Sequence, residues 1–170
     1  MKCSVCNKPL KKTKALYHYT ESGLDNVYLG GIDVFKCAKC GNIEAKIPRI
    51  EELHMIIAKS IISQQQRLNN KEIRYLRKYI GIKANELAKI LHIHKSTLSR
   101  WEAGKDKIGD ANDRLLRLLV IGYMIEKHPL LFAAEIIKKL VTISLDVSKK
   151  EKENRIHFDK NLQTYSSFVA

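Results

Sequence analysis

The sequence predicts an α+β protein in two parts: a small β-rich domain stapled by a metal, then an all-α domain. Three observations carry this. The only four cysteines form two CxxC pairs, Cys3-Ser4-Val5-Cys6 and Cys37-Ala38-Lys39-Cys40. Short β-prone runs lie between the pairs. After Pro48 the apolar residues recur at helical spacing instead.

Two matched knuckles with no cysteine left over suit one tetrahedral Zn²⁺ held by Cys3, Cys6, Cys37 and Cys40. A two-residue gap lets a tight turn aim both sulfurs at one metal, and Gly41 supplies the backbone freedom that the turn needs. The knuckles stand further apart than the usual ~15–20 residues, so a folded excursion must join them. A redox CxxC would need one pair on a βαβ pattern. Two disulfides would suit a secreted domain, but no signal peptide precedes Cys3 and most of the chain lacks cysteine. Four thiolates leave no vacancy for a reacting water, so the single zinc is expected to be structural.

The β-prone runs are Leu16 to Tyr19, Asn26 to Leu29 and Ile32 to Cys37, separated by turn signals at Glu21-Ser22-Gly23 and Gly30-Gly31. They read as a small antiparallel sheet. Beyond Pro48, the residues Ile50, Leu53, Ile56, Ile57 and Ile61 mark a helix that ends near Gln64-Gln65-Gln66. Four helices follow: 71–80 before Gly81, 85–91, 95–103 before Gly104, and 112–127 before Pro129. A further helix fits 130–140, and the rest reads as a charged linker and a tail. The expected divisions are 1–46 for the zinc domain, 47–66 for a linker helix, 67–128 for the helical domain and 129–170 for the terminal helix and tail.

The formal net charge of +13 points to phosphate backbones or anionic lipid. No apolar run approaches a membrane span, and thiols that must stay reduced place the protein in the cytoplasm. The charge is concentrated. Residues 67–107 hold 11 basic and 4 acidic side chains, a net of +7. A lysine-rich solvated surface would give the same bias, so the charge needs a second signal.

That signal is the helix, turn and helix between Asn85 and Ala103. Leu87, Ala88, Leu91 and Leu98 face inward by periodicity, which leaves Lys95, Ser96, Ser99 and Arg100 pointing outward. A major-groove reader needs that layout, with the N-terminal residues of its second helix on base edges. The run Glu86-Leu87-Ala88, Ile93 and Ser96-Thr97-Leu98-Ser99-Arg100-Trp101-Glu102-Ala103-Gly104-Lys105 resembles the lambda-repressor/Cro (Xre) helix-turn-helix family. Upstream, Arg74, Leu76, Arg77 and Gly81 continue the likeness. The sequence departs from that pattern at Ala84, where the family often has a phosphate-touching glutamine. It departs again at His92 and His94, which replace a turn glycine and a Ser/Thr cap, so a weaker cap is expected.

Both halves together are similar to the MqsA family of antitoxins. The likeness includes Met1-Lys2-Cys3-x-x-Cys6, Tyr28-Leu29-Gly30-Gly31, Cys37-x-x-Cys40 and Leu115-Leu116-Arg117-Leu118-Leu119, over about residues 1–130. The resemblance implies a homodimer whose repressor-type helix-turn-helix domain silences its own operon. It also implies a zinc domain that binds a toxin protein, commonly an mRNA-cleaving ribonuclease. The expected DNA contacts are Lys95, Ser96, Thr97, Ser99 and Arg100, with Lys83, Lys105 and Lys107 on phosphates, and the expected target is double-stranded DNA with a palindromic operator. Trp101 reads as core, and the resemblance implies a partly buried ion pair between Glu102 and Arg77. No histidine has ligand spacing with another, and no catalytic arrangement emerges, so no enzyme is expected. A stand-alone regulator with no toxin partner is the competing reading. The apolar excess on the 112–127 helix is more than one core-facing stripe needs; part should pack on the domain core and the rest against the 130–140 helix or a second subunit, with a symmetric dimer the favoured reading.

Overall fold

The computed structural model describes residues 1–127 and 154–169. Five strands lead: β1 (Leu10–Thr13), β2 (Tyr17–His18), β3 (Val27–Gly30), β4 (Asp33–Cys37) and β5 (Ile43–Lys46). Five helices follow: α1 (Ile50–Ser63), α2 (Asn70–Tyr79), α3 (Ala84–Ile90), α4 (Lys95–Glu102) and α5 (Asp110–Lys127). Two strands close the described chain, β6 (Asn154–Asp159) and β7 (Thr164–Val169). The protein is α+β, as its sequence predicts. The helix expected at 130–140 and the charged linker after it lie outside the described residues.

The chain divides into two compact units, one holding the strands and the start of α1, the other holding the remainder of α1 and the later helices. The strand unit corrects the expectation of one antiparallel sheet. There are two sheets, an antiparallel β1-β4-β5 and a mixed β2-β3-β6-β7. The local pattern could not show this because β3 takes a partner from the far end of the chain. β6 lies parallel to β3, with Leu29 beside Ile156 and Val27 beside Asn154. All four of these side chains are buried. Gly31 permits the approach: its φ is +73°, and a Cβ there would stand 2.2 Å from the Phe158 carbonyl oxygen. The Tyr165 hydroxyl donates to the Pro48 carbonyl at 2.6 Å and ties the hairpin to the entry of α1. β1 escaped the sequence reading because its adjacent lysines break any apolar alternation, and β5 because four residues are too short a run to stand out.

α1 buries Leu53, Ile57, Ala58, Ile61 and Ile62, whereas Ile50, the first residue of that periodic run, is exposed. α2 opens with a reciprocal capping box. The Asn69 side chain accepts from the Glu72 amide at 2.9 Å, and Glu72 accepts from the Asn69 amide at 2.9 Å. The helical unit is held by a buried ion pair. Arg117 and Asp113 are 1% and 0% exposed and lie one turn apart on α5, with Nε donating to Oδ2 at 2.7 Å. The same guanidinium donates to the carbonyls of Ile62, Gln64 and Gln66 at 3.0, 2.7 and 2.6 Å. Asp113 accepts from the Leu68 amide at 2.7 Å. The Ile62 carbonyl is one of the orphans that a helix C-terminus leaves behind, those of Gln64 and Gln66 belong to the connector after α1, and one cation satisfies all three.

Removing one partner of a buried pair leaves the other charge uncompensated. Arg117→Ala is therefore expected to lower the stability of the helical unit by about 3–5 kcal/mol, read as a lower urea midpoint. A variant within about 1 kcal/mol of the parent would show the clamp to be dispensable, since that is the ordinary effect of a point change.

Candidate functional site

The two cysteine knuckles are built alike. In the first, the Cys3 amide donates to Lys8 O at 2.8 Å and the Asn7 amide donates to Cys3 O at 2.9 Å. In the second, the Cys37 amide donates to Asn42 O at 2.9 Å and the Gly41 amide donates to Cys37 O at 3.0 Å. The residue after each second cysteine is left-handed, Asn7 at φ 56° and Gly41 at φ 73°. Asparagine tolerates that region better than most residues, so Asn7 is the counterpart of Gly41 that the sequence reading missed. The β1–β4 pairing sets Leu10 opposite Cys37 and closes the excursion between the knuckles.

The four sulfurs lie within 4.8 Å of one another. Cys3 and Cys40 approach to 3.6 Å and Cys6 and Cys37 to 3.4 Å, each pair drawn from both knuckles. A tetrahedral metal with bonds of about 2.3 Å sets its sulfurs about 3.8 Å apart, so the donor set fits such an ion. The charges fit as well. The backbone amides of Cys40 and Lys39 hold the Cys37 thiol down to about 6, against the opposing effect of burial. The Cys6 amide likewise lowers Cys3. The Lys8 amide pulls Cys6 down, but the contact with Cys37 and burial outweigh it and push Cys6 up to about 12. Cys40 is also raised, with burial and its contacts to Cys37 and Cys3 overcoming the Asn42 amide. Each close pair thus joins a thiolate-prone sulfur to a protonated one, and a divalent cation would replace both protons. Asn42 donates to the Cys3 sulfur at 3.7 Å and to Glu44 at 3.1 Å, while Glu44 accepts from the Ser4 amide at 2.7 Å. This outer layer, which orients the sulfurs, has no signal in the spacing of the cysteines.

The helical face is equally well supported. The α3 helix begins with Glu86 accepting from the Lys83 amide at 2.8 Å. The chain leaves it through the left-handed His92, whose φ is 50°, with the Ile93 amide donating to Ala88 O at 3.0 Å. The cap expected to be weak is present in another form: His94 Nδ1 accepts from the Ser96 amide at 3.3 Å and meets Ser96 Oγ at 2.7 Å. Leu98 and Trp101 are buried and lock α4 in place. Lys95, Ser96, Ser99 and Arg100 are exposed and Thr97 is half-buried. Lys83 is exposed at the start of α3, and Lys105 and Lys107 in the loop after α4. Glu102 receives Arg77 Nε at 2.6 Å and Nη2 at 3.0 Å, the ion pair that the family resemblance implied. Arg100 is engaged by Asp106, a partner that the sequence reading missed.

These two sites define a two-part α+β protein with a four-cysteine cluster able to hold a metal ion and a basic helical face. The chain matches the family described as the antitoxin component of bacterial toxin-antitoxin system, MqsA, over residues 1–136, and it belongs to that family. No curated protein and no solved structure matches it. Among the described residues, no helix is long and apolar enough to cross a membrane.

Purified protein is expected to carry one equivalent of a divalent metal by elemental analysis. Cys37→Ser should lose it and expose the strand unit to protease, because so short a β-rich segment cannot hold a core without a staple. A serine variant that keeps its metal and an ordered strand unit would rule out a four-cysteine centre.

Proposed function

We propose that this protein is an antitoxin that represses its own operon, binding a palindromic operator in double-stranded DNA as a homodimer. The observation that carries this reading is the row on α4, where Lys95, Ser96, Ser99 and Arg100 stand exposed on a helix locked from behind by Leu98 and Trp101. α3 and α4 act as a helix-turn-helix, with α4 in the major groove. Arg100 reads guanine, Lys95, Ser96, Thr97 and Ser99 meet base edges or phosphate, and Lys83, Lys105 and Lys107 hold phosphates. The metal is one structural Zn²⁺, the usual ion for four thiolates in a closed site. The N-terminal zinc domain serves as the surface for a toxin protein. The protein works in the cytoplasm, where its thiols stay reduced, and it binds rather than catalyses.

Arg100→Ala should weaken binding to the preferred duplex about 10- to 100-fold and relax the preference for guanine. Lys107→Ala should weaken all sequences alike and reduce the salt dependence. Unchanged operator affinity in Arg100→Ala, measured by fluorescence anisotropy, would remove α4 as the reading helix.

Dimerisation is supported by α5. Leu116, Val120, Ile121 and Met124 are buried, while Leu115 and Leu118 on another side of the helix are 37% and 50% exposed. With Gly122 they form an apolar stripe suited to a second copy, and two copies would present two α4 helices to two half-sites about 34 Å apart. Leu118→Asp should sediment as a monomer and bind the palindrome weakly. A dimer of unchanged strength would place the interface elsewhere.

A further inference from the structure

We infer that Asp106 is a positioning residue for sequence reading: it holds the Arg100 guanidinium side-on, so that its outer edge is presented ready-made to a guanine. This rests on the proposal that Arg100 reads DNA.

The geometry starts from the end of α4. Gly104, at φ 72°, turns the chain out of the helix. The amides of Lys105 and Asp106 then fold back onto the Arg100 carbonyl at 2.9 and 3.4 Å. Two residues on, Ile108 is fully buried and anchors the loop. Asp106 is therefore set beside Arg100 by backbone, not by a wandering side chain. Arg100 Nε donates to Asp106 Oδ2 at 2.6 Å and Nη2 donates to Oδ1 at 3.2 Å. Of the five guanidinium hydrogens, this fork uses the Nε–H and one on Nη2. It leaves both Nη1 hydrogens and the second on Nη2, along the edge that can meet guanine O6 and N7 together.

The consequences for binding have opposite signs on different DNA. A free arginine on a helix surface must surrender its rotamer freedom on binding, and one already held surrenders less. That gain is realised only where a guanine receives the fork. On other sequences the Asp106 carboxylate, which the Arg100 guanidinium holds below its ordinary range, sits near the phosphates and opposes them. Asp106 thus raises specificity through a repulsive element as well as an attractive one.

The test uses full-length protein loaded with metal and a duplex selected by the wild type from a randomised library. A mixed-sequence duplex serves as the non-specific probe. Asp106→Asn is expected to weaken the selected duplex about 2- to 10-fold, in line with the cost of immobilising a long side chain, while the mixed duplex binds equally or more tightly. The pair is solvent-exposed, and the thermal midpoint should not move. In an Arg100→Ala background, Asp106→Asn should not weaken the selected duplex further, since only the repulsion is left to remove. Unchanged or tighter binding of the selected duplex by Asp106→Asn would overturn the inference, as would a loss that persists without Arg100. A failure of Arg100→Ala to lower selected-duplex affinity would instead sink the reading of α4 beneath it.

Discussion

Four sulfur atoms packed within 4.8 Å cannot all carry charge unless a cation sits among them, and the strand unit is arranged around that constraint. Backbone amides favour the thiolate at Cys3 and Cys37, while burial and the neighbouring sulfurs raise Cys6 and Cys40. The polar groups that make a thiolate tolerable are supplied by the knuckle turns themselves. Those turns in turn need the left-handed residues Asn7 and Gly41. The pairing of β1 with β4 follows, because it brings the first knuckle to the end of the strand that delivers Cys37. Metal, turn and strand register are one arrangement seen at three scales.

The helical unit solves the opposite problem. It has apolar residues to spare, and its difficulty lies in the polar ends of its helices. Arg117 meets this by giving one guanidinium to Asp113 and to carbonyls at the end of α1 and in the connector that follows. A buried charge is costly unless every donor finds an acceptor. Here Nε, Nη1 and Nη2 all do. The Arg77–Glu102 pair repeats the device nearer the surface, where Glu102 also draws Arg77 further above its ordinary range. Both pairs fix helices by direction as well as by contact, which apolar packing alone does not. A rigid α4 is what an exposed row of polar side chains requires if it is to read anything.

The tail changes the picture of the strand unit. The family match ends at residue 136, yet β6 inserts beside β3 and extends its sheet. Burial of Ile156, Phe158 and Tyr165 adds apolar surface to a domain that has little of its own. The signals were present in outline: Ile156 and Phe158 alternate with polar residues. Asp159 accepts from the amides of Asn161 and Leu162 at 2.8 and 3.1 Å to make the turn. What the local pattern could not supply was the partner.

The sequence by itself determined the α+β class, the cysteine quartet and the helices from α1 to α5. Each of these is written in local spacing: two residues between cysteines, three or four between apolar positions, and a glycine after a helix end. Burial of Leu98 and Trp101 was legible for the same reason, whereas the Arg77–Glu102 pair was legible only through the family resemblance, since its partners lie 25 positions apart. The tertiary structure alone decided the rest. The parallel pairing of β3 with β6 joins residues more than a hundred positions apart, and no local periodicity encodes that. The Arg117 clamp was hidden because a charged residue in an apolar helix reads as solvent-facing until its carbonyl partners are seen. The outer layer of Asn42 and Glu44 and the fork of Asp106 on Arg100 depend on side-chain direction after a turn. Spacing reveals which residues share a face; only the folded chain sets the hydrogen bonds that aim them.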